Sequence, residues 1–210
     1  MSLIEKRFDG QDAWIQAVIN KVKVVADATE DAVVIGLAGG STPKPVYEAL
    51  NEEDLPWERL HFVSIDERYV PVEDESSNLG MIKAAMPNAR VKGFDTRLPI
   101  EQSAEEMHMM MYGMDFDLLI LGMGADGHIA SIFPGSKAVK STDYATYLSV
   151  DGLDVAARLT LTFESLCSAE EAVLLIHGKD KEGTIEKVKA GIDMLVTKFV
   201  ELVPTEVYIY

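Results

Sequence analysis

The 210-residue sequence has a single cysteine, Cys167, and no long stretch free of charged residues. One cysteine excludes a disulfide within the chain and a thiolate metal site built from this chain alone. The longest uncharged stretch, Ala32–Pro43, has twelve residues, whereas a membrane-spanning helix needs roughly 17–25 apolar residues. Glu5, Lys6 and Arg7 stand where the apolar core of a secretory signal would lie. We therefore expect a cytoplasmic protein that does not enter membranes.

Basic residues are also scarce, because 19 Lys and Arg stand against 35 Asp and Glu and give a net charge of −16. Such a surface repels nucleic acids and anionic lipids, whose phosphates are bound through Lys and Arg. We expect no nucleic-acid partner. A small anionic ligand is compatible with this charge, provided that a few basic residues gather in one pocket.

Motifs of two common catalytic classes are missing. The sequence has no H-E-x-x-H motif or closely paired histidines for a metal site, and no G-x-S-x-G motif for a serine hydrolase. The remaining composition is that of a globular chain, with 48% hydrophobic and 26% charged residues. No linker or repeat divides it, so we expect a single domain over residues 1–210.

Apolar runs of strand length alternate with helical patterns along the chain. Each run is nearly all apolar, which is typical of strands buried on both faces of a parallel sheet. The four clearest runs are Ala32–Leu37, Leu60–Ile65, Asp117–Gly122 and Ala172–His177, and further strands are predicted at Thr146–Val150 and Thr205–Tyr210.

Helices are predicted between these strands. An apolar stripe recurs at helical spacing from Trp14 to Val25. Thr42 followed by Pro43 indicates a helix start, Ser103–Glu106 fits a capping box, and Asp180–Ala190 ends before a glycine. This alternation predicts an α/β fold with an open, mostly parallel, Rossmann-like sheet and helices on both faces. Ligands of such sheets bind beyond the carboxyl ends of the strands.

The loop after the first of these strands contains Gly39, Gly40, Ser41 and Thr42 and leads into a predicted helix. Adjacent glycines let the backbone approach a ligand, and the helix start offers unpaired N–H groups to a phosphate. The loop is neither a Walker loop nor a G-x-G-x-x-G loop. The alternative is a plain turn in which the glycines only relieve strain.

Groups suited to acid–base chemistry follow the next two strands. Asp66 and Arg68 come directly after one strand and can supply a carboxylate and a guanidinium to one crevice, or form a surface ion pair. His128 lies in the glycine-rich segment Gly122–Gly135 after the other. Histidine is suited to proton transfer near neutral pH, although an isolated histidine can also be purely structural. Later in the chain, Arg158 and Lys181 are candidate anion ligands, with solvated side chains as the alternative.

Five short motifs stand in order along the chain: Gly39–Pro43 with Tyr47–Leu50, Asp66–Pro71 with Ser77 and Asn78, Leu121–Gly135, Arg158–Thr162, and Gly178–Lys181. Together they resemble the 6-phosphogluconolactonases.

The same superfamily includes glucosamine-6-phosphate deaminases, which share several of these motifs. Deaminases follow Asp-Gly-His with a sequence like Ala-Phe-Asn-Glu-Pro, whereas Phe133 stands at the position of that Glu. Arg68 also resembles the lactonases, since deaminases tend to have Tyr there. Ile129 and Ile132 depart from the Thr and Leu more usual in lactonases, which leaves the catalytic groups in place and bears on the substrate pocket.

The resemblance implies hydrolysis of 6-phospho-D-glucono-1,5-lactone to 6-phosphogluconate in the oxidative pentose phosphate pathway, without a metal or organic cofactor. Such hydrolysis needs an activated water, a stabilised oxyanion and a proton for the ring oxygen. We expect His128 to act as general base and then as general acid. Asp66 would orient its imidazole or bind substrate hydroxyls, while Arg68 and loop N–H groups would stabilise the developing charge.

The 6-phosphate is expected on Gly40, Ser41 and Thr42, with Arg158 and Lys181 as counter-charges. The expected partner is this small-molecule lactone, and the chain is expected to be a monomer or homodimer. Two alternatives are a glucosamine-6-phosphate deaminase or isomerase, and a non-catalytic sugar-phosphate sensor.

Overall fold

The computed structural model describes residues 3–210, apart from the side chains of residues 179 and 180. The strands are β1 (Leu3–Arg7), β2 (Val33–Leu37), β3 (Leu60–Ser64), β4 (Asp66–Arg68), β5 (Arg90–Lys92), β6 (Leu118–Leu121), β7 (Ala145–Ser149), β8 (Ala157–Leu161), β9 (Ala172–Ile176) and β10 (Thr205–Ile209). The helices are α1 (Gln11–Asp27), α2 (Lys44–Asn51), α3 (Asn78–Ala85), α4 (Ile100–Met111), α5 (Phe163–Leu166), α6 (Lys179–Lys189) and α7 (Leu195–Leu202), with a 3₁₀ turn at Lys137–Val139.

Seven of the strands form one sheet in the order β1-β10-β9-β6-β2-β3-β5. Every neighbouring pair in this sheet is parallel. The four apolar runs predicted as buried strands are β9, β6, β2 and β3, which lie side by side at its centre. The prediction of an open, mostly parallel α/β sheet is therefore confirmed.

The two faces of this sheet are both covered. Along β6, Leu119 and Leu121 belong to one apolar cluster, whereas Leu118 and Ile120 belong to another. Helices α4, α6 and α7 contribute to the first cluster, and α1, α2 and α3 contribute to the second. Helices on both faces explain why the central strands are nearly all apolar. None of the helices described is long and apolar enough to cross a membrane.

Three other strands form a small antiparallel sheet in the order β4-β8-β7. The strand predicted at Thr146–Val150 is β7, so it pairs here and not with the parallel strands. Only Ile65 separates the end of β3 from the start of β4. The small sheet therefore stands at the carboxyl edge of the large one, where its register places Arg68 opposite Arg158.

Two predicted helix starts are wrong. Helix α2 begins at Lys44, and Thr42 lies in a preceding turn without a side-chain capping bond. The carbonyl of Pro43 accepts the first backbone hydrogen bonds of this helix, which moves its start past the threonine. Ser103 lies inside α4, which begins at Ile100. Its own N–H bonds the carbonyl of the residue before the helix at 2.9 Å, so it is part of the first turn and does not cap it.

Candidate active site

A cavity of about 380 Å³ lies beyond the carboxyl ends of β2, β3 and β6. It is bounded on one side by β4 and β8 and on another by the start of α6. All the site residues predicted from the sequence line it: Gly39, Gly40, Ser41, Thr42, Asp66, Arg68, His128, Arg158 and Lys181. Their shared position follows from the topology, because the loops after parallel strands meet at one edge of the sheet.

The loop after β2 requires its two glycines. A Cβ on Gly39 would lie 2.0 Å from Cγ of Asn78, so no larger residue fits without displacing that side chain. Gly40 has a φ of +97°, which side-chain-bearing residues rarely adopt. The hydroxyl of Tyr47 donates to the carbonyl of Ala38 at 2.7 Å and ties the loop to α2. The glycines thus bring the loop backbone close to the cavity and to the start of α3.

His128 is held by its own loop. Its Nδ1 lies 2.6 Å from Oδ1 of Asp126, and its backbone carbonyl accepts the N–H of Gly124 at 2.9 Å. A Cβ on Gly124 would come within 2.3 Å of the imidazole, so the ring packs directly over a glycine. The ring of Phe133 lies 4.4 Å away between centroids. No hydrogen bond to Nε2 is found among the described residues, which makes Nε2 the ring nitrogen open to a ligand.

Asp126, and not Asp66, makes the contact that orients this imidazole. Partial burial acts to raise the pKa of Asp126, but the hydrogen bonds from His128 and the charge of its ring together outweigh burial and lower this pKa. The Asp66 carboxylate instead accepts the hydroxyl of Ser131 at 2.7 Å and Nδ2 of Asn78 at 3.2 Å. Orienting the imidazole, the first role expected for Asp66, is therefore performed by Asp126. The second expected role, binding substrate hydroxyls, is compatible with the position of Asp66 at the cavity.

Asp66 is a buried acid, with 6% of its surface exposed. Burial raises its pKa, against the opposing effects of the Ser131 hydroxyl and the charges of Arg68 and Arg158. Because successive residues of a strand face opposite sides, Asp66 and Arg68 both reach the cavity while Glu67 between them does not.

Glu67 supports the site from behind. Its carboxylate accepts backbone N–H groups of Arg68, Asn78 and Leu79 at 2.7–2.8 Å, and the hydroxyl of Ser77 at 3.0 Å. It is 1% exposed, and burial raises its pKa. The Glu67 carboxylate therefore connects β4 to the start of α3. Of the three consecutive residues, Asp66 and Arg68 line the cavity, whereas Glu67 stabilises the structure behind it.

Two arginines that stand opposite each other in the pair of β4 and β8 both line the cavity. Nη1 of Arg68 donates to the carbonyl of Ser76 at 2.8 Å, and its buried Nε has no hydrogen-bond partner. Nε of Arg158 donates to the carbonyl of Val155 at 2.9 Å. Burial and the charge of Arg68 lower the pKa of Arg158. Among the described residues neither arginine forms a salt bridge. Their positive charges are therefore available to an anionic ligand in the cavity.

Lys181 adds a third cation from the start of α6. The helix, predicted at Asp180–Ala190, begins one residue earlier, at Lys179. Partial burial lowers the pKa of Lys181, and no carboxylate within the described part of the chain forms a salt bridge with it. An acidic protein thus has three basic side chains around one small cavity. A small anionic ligand is therefore compatible with the net charge of −16, as expected from the sequence.

Several residues of the site were not predicted as such. Asn78 and Ser131 position Asp66 and line the cavity, as do Ala130, Phe133 and Leu153. Within residues 3–210, Ala130 is the non-glycine residue with positive φ, at +50°. That conformation turns the chain so that Ser131 reaches Asp66, and nothing in an isolated Ala-Ser pair signals it.

Comparison with known proteins identifies relatives over nearly the whole chain. A family model described as glucosamine-6-phosphate isomerases/6-phosphogluconolactonase matches residues 9–202, a span that contains every predicted site residue. The 6-phosphogluconolactonase of Thermotoga maritima is 37% identical over 189 residues, which cover 85% of this chain and 86% of that protein. The 6-phosphogluconolactonase of Synechocystis is 32% identical over 204 residues, or 90% of this chain and 83% of that protein.

The fold is shared as well. The crystal structure of 6-phosphogluconolactonase from Thermotoga maritima matches with a TM-score of 0.89 and 32% sequence identity, covering 99% of this chain and 98% of that one.

Proposed function

The chain belongs to the glucosamine-6-phosphate isomerase/6-phosphogluconolactonase family, and on that premise we propose that it hydrolyses 6-phospho-D-glucono-1,5-lactone to 6-phosphogluconate, a step of the oxidative pentose phosphate pathway. The relatives named 6-phosphogluconolactonase support this activity. The observation that carries it is the meeting, around one cavity, of an imidazole held by Asp126 with the cations Arg68, Arg158 and Lys181. A lactone that carries a phosphate needs both.

In the proposed reaction, Nε2 of His128 takes a proton from water, and the resulting hydroxide attacks the lactone carbonyl carbon. The imidazolium that forms is stabilised by Asp126, whose carboxylate contacts Nδ1. The tetrahedral intermediate collapses by breaking the bond between that carbon and the ring oxygen. The imidazolium returns its proton to the ring oxygen, and the product leaves as an acid and a free hydroxyl.

The charged residues then divide between the two ends of the substrate. Arg68, with N–H groups of the glycine-rich loops, stabilises the oxyanion of the intermediate. Arg158 and Lys181 bind the 6-phosphate together with the backbone and hydroxyls of residues 40–42. The buried Asp66 accepts hydrogen bonds from sugar hydroxyls, a role that suits a carboxylate already positioned by Ser131 and Asn78.

The wider setting is part of the proposal. The net charge of −16 supports a small-molecule partner and no nucleic acid. The single cysteine supports a cytoplasmic location. Pairing of β1 near the start of the chain with β10 at its end supports one domain over residues 1–210, acting as a monomer or homodimer.

The test is turnover of freshly generated lactone above the spontaneous rate of ring opening, measured with ammonia release from glucosamine 6-phosphate in parallel. Lactone turnover without ammonia supports the proposal. Ammonia release would support a deaminase despite Phe133, and thermal stabilisation by 6-phosphogluconate without any turnover would support a sensor.

A further inference from the structure

A second cavity, of about 940 Å³, lies beside the edge strand β5 and the helix α3. None of the predicted site residues lines it. We call it the basic groove, because Lys83, Arg90, Lys92 and Arg97 surround it, against the acidic residues Glu73 and Asp95.

Three of the four basic residues around this groove form no salt bridge in the described part of the chain, and the fourth, Arg97, is paired with Asp95. Within residues 3–210, salt bridges pair these basic residues with carboxylates: Lys6, Arg7, Lys21, Lys23, Lys44, Arg97, Lys189 and Lys198. No such bridge involves Lys83, Arg90 or Lys92 in the described part of the chain. The same is true of the three cations in the active-site cavity. Of the basic residues without a salt bridge in the described part of the chain, six line one of the two cavities, and the other four are Arg59, Lys137, Lys140 and Lys187.

The acidic residues in the groove do not cancel this charge. Asp95 is occupied by Arg97, whose Nε and Nη2 donate to its two carboxylate oxygens at 2.8 and 2.6 Å. Hydrogen bonds from Arg97, followed by smaller effects that include the charge of Lys83, lower the pKa of Asp95 to about 2. Once Asp95 and Arg97 are paired, Glu73 is the remaining acidic residue of the lining, beside the three cations Lys83, Arg90 and Lys92. The groove therefore carries a net positive charge.

The groove also has an apolar side. The apolar side chains of its lining that are at least partly exposed are Val72, Pro87 and Ala89, with the buried Met86 and Phe94 packed beneath them. Its volume is that of a site for a ligand of drug or nucleotide size. A ligand that fits both parts combines a flat apolar ring with two or more negative charges.

We propose that the basic groove binds a nucleoside diphosphate or triphosphate, with the base on the apolar side chains and the phosphates on Lys83, Arg90 and Lys92. This site is distinct from the lactone cavity, although one chain segment forms a wall of both. Arg68 lines the lactone cavity, and Val72 and Glu73 line the groove.

Protection of the edge strand β5 from pairing with another chain explains only some of the basic residues in the groove. Arg90 and Lys92 are exposed on β5 and flank the buried Val91, a pattern that keeps an edge strand from pairing with another chain. Lys83, however, lies on α3 and Arg97 on the loop after β5. Basic residues that reach one cavity both from a helix and from the strand and loop beside it are expected of a ligand site and not of edge protection alone.

The experiment is titration calorimetry of the full chain with ADP at about 0.01 M ionic strength, where charges act over about 30 Å. The variant Arg90→Gln/Lys92→Gln should weaken ADP binding by roughly tenfold or more, as expected for lost charge-assisted contacts. Lys83→Gln, on a helix and away from the strand edge, should weaken it as well if the double variant does not fold. Lys140→Gln/Lys187→Gln is the control of equal charge change and should bind as the parent does.

Further ligands and one further variant identify the source of binding. Pyrophosphate should bind more weakly than ADP, and Arg158→Gln should leave ADP binding unchanged. No ADP binding by the parent, equal weakening in the control, or loss only in Arg158→Gln would each overturn the proposal. Pyrophosphate binding as tight as that of ADP would overturn the nucleotide class. Lactone turnover without ADP should be the same in Arg90→Gln/Lys92→Gln and the parent, so this test is independent of the proposed activity.

Discussion

Arg68 and Arg158 lie opposite each other in the antiparallel pair formed by β4 and β8. Like charges at opposed positions of a sheet repel each other, and this pair has the buried Asp66 carboxylate nearby but no salt bridge in the described residues. The arrangement is one that an anionic ligand stabilises. The free energy that the repulsion costs in the empty protein is recovered when a phosphate or an oxyanion enters the cavity.

The first prediction concerns Arg158→Gln. Loss of one charge-assisted contact with the phosphate should raise KM by roughly tenfold to a hundredfold, with a smaller effect on kcat. The empty variant should be at least as stable to urea as the parent, because the repulsion with Arg68 is gone. Steady-state kinetics and urea unfolding measure both effects. An unchanged KM would show that Arg158 does not hold the substrate.

The second prediction compares Lys181→Ala with Lys187→Ala, a change on the exposed side of the same helix. Lys181→Ala should raise KM for the lactone and weaken 6-phosphogluconate binding, since Lys181 lines the cavity and Lys187 does not. Binding measured by calorimetry should be normal in Lys187→Ala. Equal effects of the two substitutions would contradict a phosphate contact by Lys181.

The third prediction tests the close approach of the glycine loop to α3. Gly39→Ala places a Cβ 2.0 Å from Cγ of Asn78, so we expect a loss of about 1–3 kcal/mol in the free energy of unfolding. Gly183→Ala, in α6, meets no atom within 4 Å and should stabilise the protein by up to about 1 kcal/mol. Urea unfolding of both variants measures the difference, and a Gly39→Ala protein as stable as its parent would contradict the packing described.

The fourth prediction concerns the pH dependence of stability. The pKa of Asp66 is raised by burial from its ordinary value of 3.8, so the folded protein holds a proton that the unfolded chain has released. The free energy of unfolding should therefore fall as pH rises from that value through the raised pKa. Asp66→Asn should make this fall shallower.

The parent and Asp66→Asn should be compared by urea unfolding at a series of pH values. Glu67, whose pKa is raised in the same direction, leaves part of the slope in the variant. A slope as steep in Asp66→Asn as in the parent would show that Asp66 is not the group responsible.

The centre of the fold could be predicted because β2, β3, β6 and β9 are covered on both faces of the sheet and their sequences are nearly all apolar. The edge strands β1 and β5 escaped prediction because both are short and carry exposed Lys and Arg residues, and Val91 is the one buried residue in the two. The capping motif at Ser103 was misleading for a similar reason. A local pattern does not show that Pro99 has already begun the helix one turn earlier.

The membership of the candidate site was predictable because residues that follow parallel strands must meet at one edge. The contacts inside it were not. Asp126 stands two residues before His128 in the sequence, yet only the turn of the loop brings its carboxylate to Nδ1. Likewise, Asn78 reaches Asp66 from a helix that begins ten residues beyond Arg68, through a loop whose path depends on the buried Glu67. The first contact depends on the local turn of one loop and the second on tertiary packing, and spacing along the chain shows neither.

The most direct test of the account is the turnover rate of His128→Asn on 6-phospho-D-glucono-1,5-lactone, with the spontaneous rate subtracted. Loss of the general base should lower kcat by roughly 10²–10⁴-fold while the variant still unfolds at the urea concentration of the parent. His61→Asn, on the exposed side of β3, is the matched control and should keep the parent rate. A His128→Asn protein with the parent's kcat would contradict the proposed mechanism.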